Sequence, residues 1–365
     1  MGMGTAFRVA YSFRGAGDGS LPAAGLTMGP AGQLYGTTQQ DGVSGLGTVF
    51  RFDPAHETLT VLHRFSAREG ALPSGPLAVG PDGLVFGTLG AGGEAGCGAV
   101  FALNPATTAY TTLHSFSCGA DGGMPVSGVT VDAAGVIYGE TFKGGAGENA
   151  AGTIFSLAPL TGTITVLHTF NDGPGGDGSG GNPLLLSGGA LYGTTCIFDA
   201  NPGAVFKLSP ASGTIQTVHQ FAGKDGYCPA ALVAGRGGLL FGTTRYGGAM
   251  EPAGGVIFQL DPSTGQQTVL HDFNLARGLP ALGLTVAADG ALVGARARGP
   301  FSPVGGTFRL KPETRGYAGL DNLRARRAFQ AGDPNPGLVV DGTAVYGTTQ
   351  TGGAAGKGSI FEIIQ

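Results

Sequence analysis

Apolar residues in this chain come in short runs closed by Gly, Pro, Asn or Asp, and the runs recur in a fixed order. An aromatic-Gly-Thr-Thr run is followed by a Gly-rich gap, a Gly-x-aliphatic-Phe run and a Thr-Val-Leu-His-x-Phe run. In the first unit, Gly25-Leu26-Thr27-Met28 turns at Pro30-Ala31-Gly32 into Leu34-Tyr35-Gly36-Thr37-Thr38. A loop then leads to Thr48-Val49-Phe50-Arg51-Phe52, and a turn at Pro54 leads to Leu59-Thr60-Val61-Leu62-His63-Arg64-Phe65. β-Branched and aromatic runs bounded by turn residues predict four antiparallel strands. Their mixed rather than strictly alternating composition predicts sheets covered on both faces.

The unit is written seven times, at Tyr35-Gly36, Phe86-Gly87, Tyr138-Gly139, Tyr192-Gly193, Phe241-Gly242, Val293-Gly294 and Tyr346-Gly347. Those glycines are 51, 52, 54, 49, 52 and 53 residues apart. Four short strands per unit of this length predict an all-β fold, a seven-bladed β-propeller with one blade per unit. Phe7 to Phe13 reads as the fourth strand of a unit, and the C-terminal segment supplies three strands without a fourth. The chain, 1–365, is therefore expected to form a single propeller domain whose last blade combines 336–363 with 5–13. A parallel β-helix or leucine-rich solenoid would use a period about half as long. Propeller repeats that rely on Trp are disfavoured, because the chain has none.

Glycine, 72 of 365 residues, falls at a fixed period between strand runs and so reads as turn chemistry, not low complexity. Only 12% of residues are charged and the net charge is −4, which suggests neither a nucleic-acid nor a membrane-surface partner. No apolar stretch is long enough to span a bilayer. No signal peptide is visible at Met1-Gly2-Met3-Gly4, so either the chain is cytosolic or a leader has been removed, and the cysteines favour a secreted protein whose leader is gone.

The units resemble the bacterial Gloeobacter and Verrucomicrobia repeat, with its Gly-Gly-x-x-Gly-x-Gly-Thr-Val-Phe core. The matching residues are Gly92-Gly93-Glu94-Ala95-Gly96-Cys97-Gly98-Ala99-Val100-Phe101 and Gly352-Gly353-Ala354-Ala355-Gly356-Lys357-Gly358-Ser359-Ile360-Phe361. The resemblance implies a secreted or surface-attached bacterial protein and brings no settled activity with it.

In a four-stranded blade, the loop between strands two and three opens on the same face as the link to the next blade. Those are the long segments here, and that face is the expected site. Cys97 and Cys118 fall in such a loop and link of the second unit, and Cys196 and Cys228 in the corresponding pair of the fourth. Of the three possible pairings, only Cys97–Cys118 with Cys196–Cys228 joins loops of one blade, implying an oxidising compartment. Four unpaired thiols are the alternative. Zinc is not expected without a C-x-x-C or an adjacent His, and no metal or cofactor is called for.

His63, His114, His168, His219 and His271 share one strand position, so they are expected to be structural, bonded to a hydroxyl or backbone group between blades. Asp18, Glu69, Asp121 and Asp225, each four residues before a proline, are expected to organise turns. Breaks in the repeat point to function instead. Glu140 replaces the first Thr of the third unit, followed by Phe142 and Lys143; Arg245 and Tyr246 follow the fifth unit's Thr-Thr; Arg296 and Arg298 interrupt the sixth. From Ala276 to Phe329 the chain carries +6, against −10 elsewhere.

Arginine suits carboxylates and sulfates, so the first expectation is a monomeric propeller that recognises an acidic polysaccharide on its long-loop face. Arg245, Arg296, Arg298 and Lys143 would contact the anion, and Phe142, Tyr227 and Tyr246 would serve as platforms. A polysaccharide lyase or hydrolase on the same face would use Glu140 or Asp199 as acid or base, with Tyr246 in proton transfer. A noncatalytic adhesion scaffold with a protein partner is the third reading. For Arg324, Arg326 and Arg327, solvation of an outer strand is the simpler account.

Overall fold

The computed structural model describes residues 6–15, 17–42, 44–172, 181–197, 201–275, 279–297, 306–322 and 334–364. Its strands form seven antiparallel sheets, the blades of a seven-bladed β-propeller. In blade three the order from the axis outward is Val129–Val131, Ile137–Glu140, Ala150–Ala158 and Thr163–Asn171. Blade seven takes Val339–Asp341, Ala344–Thr349 and Ser359–Ile364 from the C-terminus and Ala6–Ser12 from the N-terminus. Ala6 pairs with Ile364 and Ser12 with Ser359, so the N-terminal strand completes the last blade and joins the two ends of the chain.

The repeat signature has a steric cause. In every blade the motif glycine lies directly across from the Phe of the third strand, as Gly36 from Phe50, Gly139 from Phe155 and Gly347 from Phe361. The ring lies over the missing side chain: a Cβ on Gly139 would stand 2.6 Å from Phe155 Cζ. The same Phe then meets the Phe of the preceding blade's outer strand edge to face. Phe13–Phe50, Phe65–Phe101, Phe116–Phe155, Phe170–Phe206, Phe221–Phe258 and Phe273–Phe308 have centroids 5.2–5.9 Å apart. Each such pair adds about 0.5–1.5 kcal/mol beyond its buried area. One Gly and two Phe per unit thus hold a blade together and fasten it to its neighbour.

Three of the recurrent histidines and their link acids turn out to be one device. His63 Nε2 lies 3.2 Å from Glu69 Oε2, His114 Nε2 3.1 Å from Asp121 Oδ2 and His219 Nε2 2.9 Å from Asp225 Oδ2. Each carboxylate also accepts a backbone N–H of its own link, from Ser66, Ser117 and Ala222 respectively. In the closing blade Tyr11 takes the histidine's place and donates to Asp18 at 2.7 Å. For these three the expected hydroxyl or backbone partner is a carboxylate, supplemented at His219 by the Gly265 carbonyl at 3.1 Å.

Both cystines form as expected, Cys97–Cys118 with Cα atoms 5.5 Å apart and Cys196–Cys228 with 5.0 Å. The second bridge differs in its setting from the expected pair of loops. Cys196 belongs to Ala190–Ile197 of blade four and Cys228 to Tyr227–Ala234, the innermost strand of blade five, so it staples two blades.

Candidate axial site

Innermost strands bulge where they approach the axis. In blade one Pro22 lies opposite Thr38 and Thr27 opposite Tyr35, so the stretch Ala23 to Leu26 is longer than the two residues it faces. Similar shifts separate Pro229 from Leu232 and Pro280 from Leu284. Leu21, Leu72, Met124 and Cys228, each directly before a proline, enter these bulges with φ of 53–60°. That left-handed backbone costs a side-chain-bearing residue about 1–2 kcal/mol, and it turns the following small residues inward. Their close approach requires glycine in places. A Cβ on Gly283 would stand 2.6 Å from the Gly337 backbone nitrogen of the next blade.

Residues from all seven blades line an axial cavity of about 280 Å³. Its wall is small and apolar, with Ser74, Ser127 and Asn182 as polar side chains and Arg245 as the only charged one among the described lining residues. A second, shallower groove of about 590 Å³ lies between the outer strands of blades seven and one. Its arginines are already engaged, Arg14 with Asp18 and Arg64 with the Gly17 carbonyl. The axial cavity is the better binding geometry, being the less open of the two and reached by every blade.

Glu140 stands behind this wall. It is 1% exposed, and its Oε2 accepts the Gly181 N–H at 2.8 Å, with the Asn182 N–H bonded to the same carboxyl. Its Oε1 is buried without a partner among the described residues. Burial pushes this carboxyl up to about 8, against the two N–H groups that pull it down. Asn182 is held from its other side as well: its amide donates to Thr194 at 2.9 Å and to the Pro229 carbonyl at 3.4 Å. One cavity-wall residue is therefore tied to blades three, four and five. Asn182 was not among the candidates drawn from the repeat breaks, yet a signal existed. Only the fourth and seventh units carry Asn-Pro before the innermost strand, and Asn335 makes the matching bonds to Thr348 and Pro22.

Glu140 and Phe142 gather around the Gly181 segment, and Arg245 lines the same cavity from blade five. Phe142 is 46% exposed, and a Cβ on Gly181 would touch its ring at 3.6 Å. Lys143 is exposed, its backbone N–H bonded to the Gly123 carbonyl. Tyr246 follows Arg245 on one strand and so points to the other face, where it meets Tyr227 edge on at 6.4 Å. Arg296 is placed away from the axis, between blades five and six. There its charge adds to burial in holding His271 below its ordinary value, against the pull of Asp272. His271 stacks on Tyr317 at 4.0 Å. Asp199, Arg298, Arg324, Arg326 and Arg327 lie outside the described residues. Among the described residues, no group of three or more His, Cys, Asp or Glu could hold a metal ion.

Fold and cavity define a disulfide-stapled seven-bladed propeller with an axial binding geometry. The Gloeobacter/Verrucomicrobia repeat model matches residues 2–150 and 145–361, and the chain belongs to that family. No curated protein matches the sequence. Among solved structures, the chain is similar to an oligogalacturonate lyase from Vibrio parahaemolyticus, 10% identical over 99% of this chain and 97% of the lyase, with a TM-score of 0.64. It is also similar to the extracellular domain of a one-component system from B. thetaiotaomicron, 13% identical with a TM-score of 0.60. That match covers 98% of this chain and 42% of the other. Kuenenia stuttgartiensis hydrazine synthase matches at 15% identity over 94% of this chain and 96% of its own, with a TM-score of 0.61. Likeness at these identities is one of fold. The two cystines are compatible with an extracellular setting, and among the described residues no helix is long and apolar enough to cross a membrane.

Proposed function

We propose that this chain is a secreted carbohydrate-binding propeller whose axial cavity takes an acidic saccharide, with Arg245 meeting the sugar carboxylate. The observation that carries this reading is the lone charge of Arg245 among the described lining residues, in a wall otherwise built of apolar side chains, glycines, hydroxyls and an amide. A guanidinium presents paired donors matched to a carboxylate, and an enclosed wall strengthens that contact. The volume lies near the lower end of the ligand-pocket range of about 300–1,000 Å³, which suits one sugar ring or a chain end. Phe142, at the rim beside Gly181, offers an apolar platform to a following ring. The fold shared with an oligogalacturonate lyase supports a link to acidic sugars by analogy alone.

Catalysis on the same face is less well supported. Glu140 is enclosed, and Tyr246 is turned away from Arg245. The test is calorimetric titration with trigalacturonate and with a neutral trisaccharide, with ultraviolet absorbance followed for unsaturated product. Binding confined to the acidic sugar, weakened about tenfold or more in Arg245→Ala, is the expected result. Absence of binding, or an unchanged Kd in the variant, overturns the reading. Absorbing product would make the protein a lyase.

A further inference from the structure

We infer that Glu140 sets the charge of the axial cavity through the Gly181–Asn182 segment of its wall, so that the site takes anions while this carboxyl keeps its proton and rejects them once it is ionised. The inference rests on the acidic-saccharide reading above.

The position itself is the first ground. Thr37, Thr88, Thr194, Thr243 and Thr348 occupy it in five other units and Ala295 in the sixth. Where the bond is seen at closure, Thr348 donates to the Ala24 carbonyl of the next blade at 2.9 Å. A carboxyl in that place reverses the polarity of the junction, because it accepts from N–H groups where the hydroxyl donates to a carbonyl. It is also the only one of the seven residues that can change charge. The second ground is contact: its partners Gly181 and Asn182 line the cavity that Arg245 enters.

Its surroundings leave the proton decisive. On its own blade it is flanked by Gly139 and Thr141 and paired with Ile154; on blade four it meets Gly181 and Asn182; none of these is charged. Arg245 is the only charged residue among the described ones that line the cavity, and Lys143 is exposed. Oε2 holds the Gly181 N–H, so the proton belongs on Oε1, the oxygen without a partner among the described residues. Loss of that proton places a negative charge behind the wall and offsets the attraction of Arg245 for an anion. Burial puts this step at about 8, within reach of ordinary buffers.

The experiment is titration of trigalacturonate into the wild-type protein and Glu140→Gln between about pH 6 and pH 9.5, a range that brackets the raised carboxyl. The amide keeps the acceptor for the two N–H groups and cannot ionise. A fall in wild-type affinity of about tenfold or more across the range, with a flat profile in the variant, is expected. Parallel profiles overturn the inference. Should trigalacturonate bind at no pH, the saccharide reading fails by itself. A carboxyl ¹³C titration then still tests Glu140: the resonance missing from Glu140→Gln should show a midpoint near 8. A midpoint near the ordinary 4.5 overturns the inference.

Discussion

Where blade seven meets blade one, Thr348 donates to Ala24 and accepts from Asn335; where blade three meets blade four, Glu140 accepts from Gly181 and Asn182. Both junctions are buried and use the same strand position. A hydroxyl can donate and accept at once and stays neutral at any relevant pH. A carboxyl satisfies two donors on one side, leaves Oε1 over, and must be kept neutral by burial. The ring therefore tolerates different chemistry at equivalent joints, provided that the backbone groups brought there find partners.

The largest test of this contrast is deletion. Glu140→Ala leaves the Gly181 and Asn182 N–H groups buried without an acceptor and opens a void, and should cost about 3–5 kcal/mol in urea unfolding at mildly acidic pH. Thr348→Ala, which strands the Ala24 carbonyl and one N–H of the Asn335 amide, should cost about 1–2 kcal/mol in the same assay. Equal costs would mean that the two junctions are energetically alike.

A smaller effect separates the junctions by pH. The folded value for Glu140 lies above its unfolded one, so the stability it contributes is full below the ordinary value of 4.5 and is lost as pH rises toward about 8. Wild type should lose on the order of a few kcal/mol relative to Glu140→Gln across that window, then run parallel to it. Thr348→Val should track wild type throughout. A constant gap between wild type and Glu140→Gln would break the comparison.

The smallest effect has the opposite sign. Burial works against ionisation of Glu69 and Asp121, but Ser66 with His63, and Ser117 with His114, outweigh it and hold both carboxyls below their ordinary values. Their contribution is present above those values and fades as pH falls through them, by less than about 1 kcal/mol each at such partly exposed sites. Glu69→Gln and Asp121→Asn should each flatten the acid limb of the stability curve between about pH 5 and pH 3. An unchanged limb would make these pairs mere turn geometry.

Much of the site was legible in register, and part was not. Arg245 stands three residues after its motif glycine and Arg296 two after its own, so strand alternation already sends them to opposite faces. Arg245 faces the cavity and Arg296 the space near His271 and Tyr317. The histidines and link acids were each readable as structural from their recurrence, but not as partners, because nothing in spacing says that a link folds back onto its strand.

From sequence alone came the unit, its sevenfold repetition, the closing strand and the cystine pairing. These follow from short-range pattern: a glycine across from a phenylalanine, turn residues at fixed intervals, and leftover strands at the two ends. Tertiary structure alone decided what Glu140 meets, since Gly181 lies 41 residues away and arrives through the rotation of one blade against the next. It also decided that carboxyl's charge, because burial at a joint between blades depends on the closed ring and on no property of the residue itself.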